Sequence, residues 1–100
     1  LFLWDTILKT EVFLKKKSID FSYEPKSVLT NEQKTYGYGW RLFYPIDDEK
    51  IIYHNGWWHG NNTAFIRLIK ENAVIIILGN IYNEYIYSHK RFIDILRAKK

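Results

Sequence analysis

Cysteine is absent from this 100-residue chain. That excludes disulfides and thiolate metal sites and leaves the redox compartment undecided. Methionine is absent as well, and the sequence opens in mid-pattern at "LFLWDTIL". The expectation is a fragment cut from a longer protein. No run of about 18 apolar residues occurs, so nothing in the chain has the length of a membrane-spanning helix. No signal-peptide pattern, internal repeat or low-complexity tract is visible.

An activated nucleophile is lacking too. A serine with a base one helical turn away would read Ser-x-x-Lys. Ser18, Ser22, Ser27 and Ser88 are followed at that spacing by Phe21, Pro25, Thr30 and Arg91. No Gly-x-Ser-x-Gly elbow occurs either. His54, His59 and His89 are the only imidazoles, and no carboxylate pattern accompanies them, so no metal site and no cofactor is implied. The net charge of +4 sits largely in Lys15–Lys17 and in Lys90, Arg91, Arg97, Lys99 and Lys100. Those positions suit solvated helix faces and a frayed tail. A nucleic-acid face would place them beside aromatic stacking platforms, whereas the aromatics here follow strand patterns, so nucleic acid is not the expected partner.

Hydrophobic residues make up 47% of the chain, enough for a folded core. Leu3, Trp4, Ile7 and Leu8 recur at helical spacing, which predicts an amphipathic helix over residues 1–10. Ser18 is placed to cap a short helical turn over Ile19–Tyr23 that Pro25 would end. Residues 1–25 thus form a helical segment, and 26–35 read as a loop. "YGYGWRLFY" (36–44) alternates with period two and reads as one strand, whose glycines leave a face thin enough for something to approach closely. "PIDDEK" (45–50) reads as a turn, "IIYHNGWW" (51–58) as a second strand and "NTAFIRLIKE" (62–71) as a third. Glu71-Asn72 suits a tight hairpin. "AVIIILG" (73–79), apolar on both faces, reads as a central, fully buried strand. From 80 to 98 the chain reads as one helix, capped by Asn80 or Asn83. Its stripe holds Tyr82, Tyr85, Ile86, His89, Phe92, Ile93 and Leu96. The expected class is α+β, an antiparallel sheet of about four strands with the last helix laid across one face.

"YHNGWWHG" (53–60) is the densest stretch. Read as structure, Gly56 and Gly60 are turn residues and the tryptophans are packing. Read as a site, Gly56 lets a ligand lie against a strand end whose N–H groups can face a developing oxyanion.

The order "YGYGW", "HNG", alternating strand, "AVIIILGN", helix resembles the C-terminal end of the serine β-lactamase-like superfamily. That group includes class C β-lactamases, D-Ala-D-Ala carboxypeptidases and family VIII esterases. "LFLWDTIL" is similar to the helix that follows the family's second motif, so the resemblance covers essentially the whole chain. It implies acyl transfer to a serine, in an upstream Ser-x-x-Lys followed by a Tyr-x-Asn. Tyr53-His54-Asn55 has those last letters but falls inside the third motif's strand, so it is a coincidence. By the resemblance, His54 takes the place of the third motif's Lys or His and supports the substrate's carboxylate or carbonyl. Gly56 keeps the strand open, and the Trp57 N–H joins the oxyanion hole. Asn55, Trp58 and Gly60 would line the substrate, with bulky rings at 57 and 58 where many relatives carry small residues. The implied partners are the missing N-terminal part of the same protein and a small-molecule or peptide substrate, in a periplasmic or cell-envelope parent. The family's sheet is completed by N-terminal strands and covered by a helical domain, so a fragment should leave an edge and apolar surface bare. A stand-alone module holding a peptide or glycan on Tyr36, Tyr38, Trp40, Trp57 and Trp58 is the alternative.

Overall fold

The chain's computed structural model describes residues 1–26, 34–45 and 50–98. Two short helices come first, α1 (Phe2–Leu8) and α2 (Lys16–Ser22). Five strands follow: β1 (Lys34–Tyr36), β2 (Arg41–Phe43), β3 (Ile51–Trp58), β4 (Asn61–Leu68) and β5 (Ala73–Gly79). A 3-10 turn (Glu84–Tyr87) and α3 (His89–Ala98) close the chain. The strands form one sheet in sequence order, each antiparallel to the next. The class is therefore α+β, with five strands where the sequence suggested about four.

The fifth strand arises where the sequence read only one. Residues 36–44 are not a continuous strand: Gly37 to Trp40 form the turn that separates β1 from β2. Gly37 N–H donates to the Trp40 carbonyl at 2.7 Å, and Gly39 takes a φ of 75°. The alternation of aromatics was real, but the glycines between them serve turn geometry. The expected close approach is also present. A Cβ on Gly37 would sit 2.3 Å from the Ser22 carbonyl oxygen, at the end of α2. Gly37→Ala should therefore cost about 1–3 kcal/mol through overpacking against backbone. Gly39→Ala, which meets nothing within 4 Å, should cost about 1 kcal/mol for its left-handed φ. Urea denaturation of the two variants checks the order, and equal midpoints would overturn it.

Period two sorts the side chains of β3 and β4 onto two faces. On one face Ile51, Tyr53, Ile66 and Leu68 are buried beneath Ile93 of α3, joined by Phe43, Ala73, Ile75 and Leu96. On the other, Leu42 and Ile52 meet Ile19 and Tyr23 from the α2 region. Helices cover both faces, so β4 is the strand buried on both sides. β5, expected to be central, lies instead at the sheet's edge and is only half-buried, with Leu78 exposed. Its two-sided apolar pattern exceeds what its half-buried position requires, and among the described residues its outer edge has no strand neighbour.

Three local expectations are corrected. Asp5, rather than the Leu3-Trp4 side of α1, faces inward: Asp5 is fully buried while Leu3 is 70% exposed. Ser18 does not cap α2. The helix starts three residues earlier, at Lys16, and the Glu11 carboxylate takes the Lys16 N–H at 2.9 Å in its place. The C-terminal segment is not one helix but breaks between the 3-10 turn and α3. Asn83 caps the turn, its Oδ1 accepting from the Tyr85 N–H at 3.0 Å. Residues 27–33 and 46–49, read as parts of a loop and a turn, lie outside the described residues.

Arg67 points inward from β4 and is 1% exposed. Its Nε donates to Asp5 Oδ1 at 2.6 Å, its Nη1 to the Tyr23 hydroxyl, and its Nη2 to the Asp5 carbonyl at 3.4 Å. The guanidinium also lies 5.8 Å and 5.7 Å from the ring centres of Tyr23 and Trp40. Lys9 Nζ stands 2.9 Å from Asp5 Oδ2, a charge contact rather than an aligned hydrogen bond. One buried cation thereby joins α1, the end of α2 and the sheet. Burial raises the Tyr23 phenol above its usual range, partly offset by the Arg67 charge.

Candidate functional site

The end of β3 is where the expected site residues lie. β2 stops pairing at Arg41, opposite Tyr53, while β3 runs on to Trp58 against β4 alone. Among the described residues, the stretch 54–58 therefore has a strand neighbour on one side only. Backbone groups on its other side are in position for an extended ligand.

His54 lies at the start of this half-open stretch and is exposed. The Tyr36 hydroxyl, from the end of β1 two strands away, is 3.0 Å from His54 Nε2. The two rings meet edge-on at 82°. Gly56 is on the same face by alternation. Its missing side chain has a structural reason as well, because a Cβ there would fall 2.4 Å from Thr63 Oγ1 on β4. Trp57 and Trp58 are 72% and 73% exposed. Trp57 leans on Tyr82, with ring centres 6.2 Å apart, and Trp58 on His59, 4.4 Å apart.

His59 and Gly60 form the two-residue turn between β3 and β4, flanked by the Trp58–Asn61 pair. Their φ values of 47° and 81° are those of the turn that matches strand twist in a tight hairpin. Gly60 is thus at the hairpin tip and Trp58 beside it.

Asn55 points to the opposite face from His54, toward α3. Its Oδ1 accepts from His89 Nε2 at 2.9 Å, so Nε2 carries the ring proton. Tyr87 donates to the Gly56 carbonyl at 2.9 Å, and the Asn83 N–H to the buried Asn62 Oδ1 at 2.6 Å. The segment 82–89 braces the back of the strand whose front carries His54. Tyr36, Tyr87 and His89 are the residues of this site that sequence reasoning missed. Tyr36 had a signal in "YGYGW" and was weighed there only as a strand residue and as part of a ligand-holding aromatic surface, not as a partner of His54.

His89 packs against Tyr53, with ring centres 4.3 Å apart. Burial, helped by the Lys34 charge, lowers its imidazole from 6.5 to about 4. The unfolded chain binds this proton near pH 6.5 and the folded chain only near 4. Stability is therefore full above about pH 6.5 and falls as the pH drops toward 4. Because the ring is only half-buried and solvent screens part of the effect, the loss between pH 7.5 and pH 5 should be about 1 kcal/mol or less. His89→Gln should flatten that slope in urea titrations, and an unchanged slope would count against this origin.

No family model matches the chain, and no solved structure matches it. Across 80 residues it is 32% identical to penicillin-binding protein 4* of Bacillus subtilis (strain 168). The match takes in 80% of this chain and 18% of that protein. The chain is therefore similar over most of its length to one part of a penicillin-binding protein, and it spans less than a fifth of that relative.

Among the described residues no helix is long and apolar enough to cross a membrane.

Proposed function

We propose that the chain is the C-terminal part of a serine β-lactamase-like hydrolase, one that works by acyl transfer to serine. It contributes the His-x-Gly strand that walls one side of the active site. The observation that carries this reading is the 32% identity over 80 residues to a protein whose name states that it binds penicillin. The half-open end of β3, with exposed His54 at its start, supports it.

In this reading an extended substrate lies along residues 54–58. His54 donates to its carboxylate or carbonyl, and Gly56 leaves the strand face clear. The Trp57 N–H provides one oxyanion donor, and the other is the N–H of the nucleophilic serine outside these 100 residues. Asn55 acts from behind, holding the strand to α3 through His89. Trp58 and Gly60 border the substrate from the hairpin tip. Peptidoglycan peptides, β-lactams and simple esters are the substrate classes, and the parent works at the cell envelope.

The reading frame upstream of residue 1 is the test. A Ser-x-x-Lys followed by a Tyr-x-Asn supports the proposal. A frame that begins at residue 1 supports a stand-alone aromatic-rich binding module in its place. Trp57 and Trp58 favour that second reading to the extent that they are open to solvent.

A further inference from the structure

Tyr36 is held in place from several directions. Its carbonyl accepts from the Lys26 N–H at 2.8 Å, and the turn after it is closed by Gly37 and Trp40. The next residue but one, Tyr38, donates its N–H to the Ser22 carbonyl at 3.0 Å. The phenol that reaches His54 Nε2 is therefore carried on a braced hairpin. Arg41, paired with Tyr36 across that hairpin, lays its guanidinium 5.5 Å from the centre of the Tyr36 ring. A cation over the ring draws electron density from the hydroxyl oxygen, which weakens it as an acceptor and strengthens it as a donor. Among the described residues, Tyr36 is the only hydrogen-bond partner of the His54 side chain.

We propose that Tyr36 is the positioning residue of His54. Its hydroxyl donates to Nε2 and holds the neutral ring in the form that carries its proton on Nδ1. A neutral imidazole has one donor and one acceptor nitrogen, and the bond made by one fixes the role of the other. His54 then meets its ligand as a hydrogen-bond donor through Nδ1, without needing a charge. The ligand group it takes is an acceptor of carbonyl or carboxylate chemistry, and a ligand that must donate at that point is refused. The identity of the ligand rests on the function proposed above, whereas the state of the ring does not.

The test is two-bond proton–nitrogen correlation spectroscopy on the nitrogen-15-labelled chain at an alkaline pH, where imidazoles are neutral. In the wild-type chain, His54 should show a protonated Nδ1 and an unprotonated Nε2. In Tyr36→Phe the two nitrogen shifts should exchange toward the Nε2–H form. A simple packing role for Tyr36 would not move them. A wild-type ring that carries its proton on Nε2 overturns the proposal, as does a Tyr36→Phe ring that keeps Nδ1–H. If Tyr36→Phe loses its dispersed amide spectrum, the wild-type ring alone decides. The outcomes separate the two claims. An Nδ1–H ring in a protein without a nucleophilic serine overturns the hydrolase and leaves the positioning role standing. An Nε2–H ring in an active hydrolase does the reverse.

Discussion

Asp5→Ala should remove about 3–5 kcal/mol of stability, enough to unfold a marginal domain of this size. The alanine itself is well tolerated in a helix. The loss comes from Arg67, which would remain buried with its main counter-charge gone. Tyr23 would still accept one of its hydrogen bonds, and Lys9 would be relieved of a partner rather than deprived of structure. Removing both charges together, as Asp5→Leu with Arg67→Met, should recover most of the loss, because apolar side chains of similar volume avoid the desolvation penalty. Thermal and urea denaturation of Asp5→Leu, Arg67→Met and the double variant form a cycle whose coupling term should be large. A single-variant loss under 1 kcal/mol would mean that water reaches Arg67, and the buried network would have to be discarded as a source of stability.

The second large effect concerns chemistry. The purified 100 residues should turn over neither a chromogenic β-lactam nor a p-nitrophenyl ester, since no serine here has a base at the required spacing. Turnover above that of a His54→Ala control would sink the proposed division of the site. In the full-length hydrolase, His54→Ala should lower kcat/KM on the order of 10²-fold, as expected for losing one aligned donor at the reacting carbonyl. If His54 binds only a distant carboxylate, the loss should appear in KM with kcat intact. His54→Gln, which keeps a donor but not the ring, should fall between wild type and alanine.

The legible parts of the fold were those where one local rule acts alone. Ile51–Trp58 and Asn61–Leu68 are strand-length runs bounded by turn residues, and His59-Gly60 occupies a hairpin of two residues. "YGYGW" misled because aromatic alternation and turn glycines share one stretch, and the turn won. "AVIIILG" misled because its composition reports two-sided burial, while its position depends on what pairs with it. Arg67 was hidden for a related reason. In a strand covered on both faces, alternation does not distinguish an inward arginine from an outward one. Its partner is 62 residues away in sequence, beyond the reach of any local pattern. The candidate site was read as a motif, from His54 to Gly60, and the link between Tyr36 and His54 was missed because that contact exists only once the strands are in place.

That same separation between Asp5 and Arg67 sets an order of events for the chain during folding. The hairpins from β3 to β5 need only short loops and can close early. They place Arg67 on a face that still lacks α1, where its charge must stay wetted. Water can leave that face only after the first helix has folded back across the whole length of the meander. The final closing of the core should therefore be a late step, gated by the arrival of one aspartate.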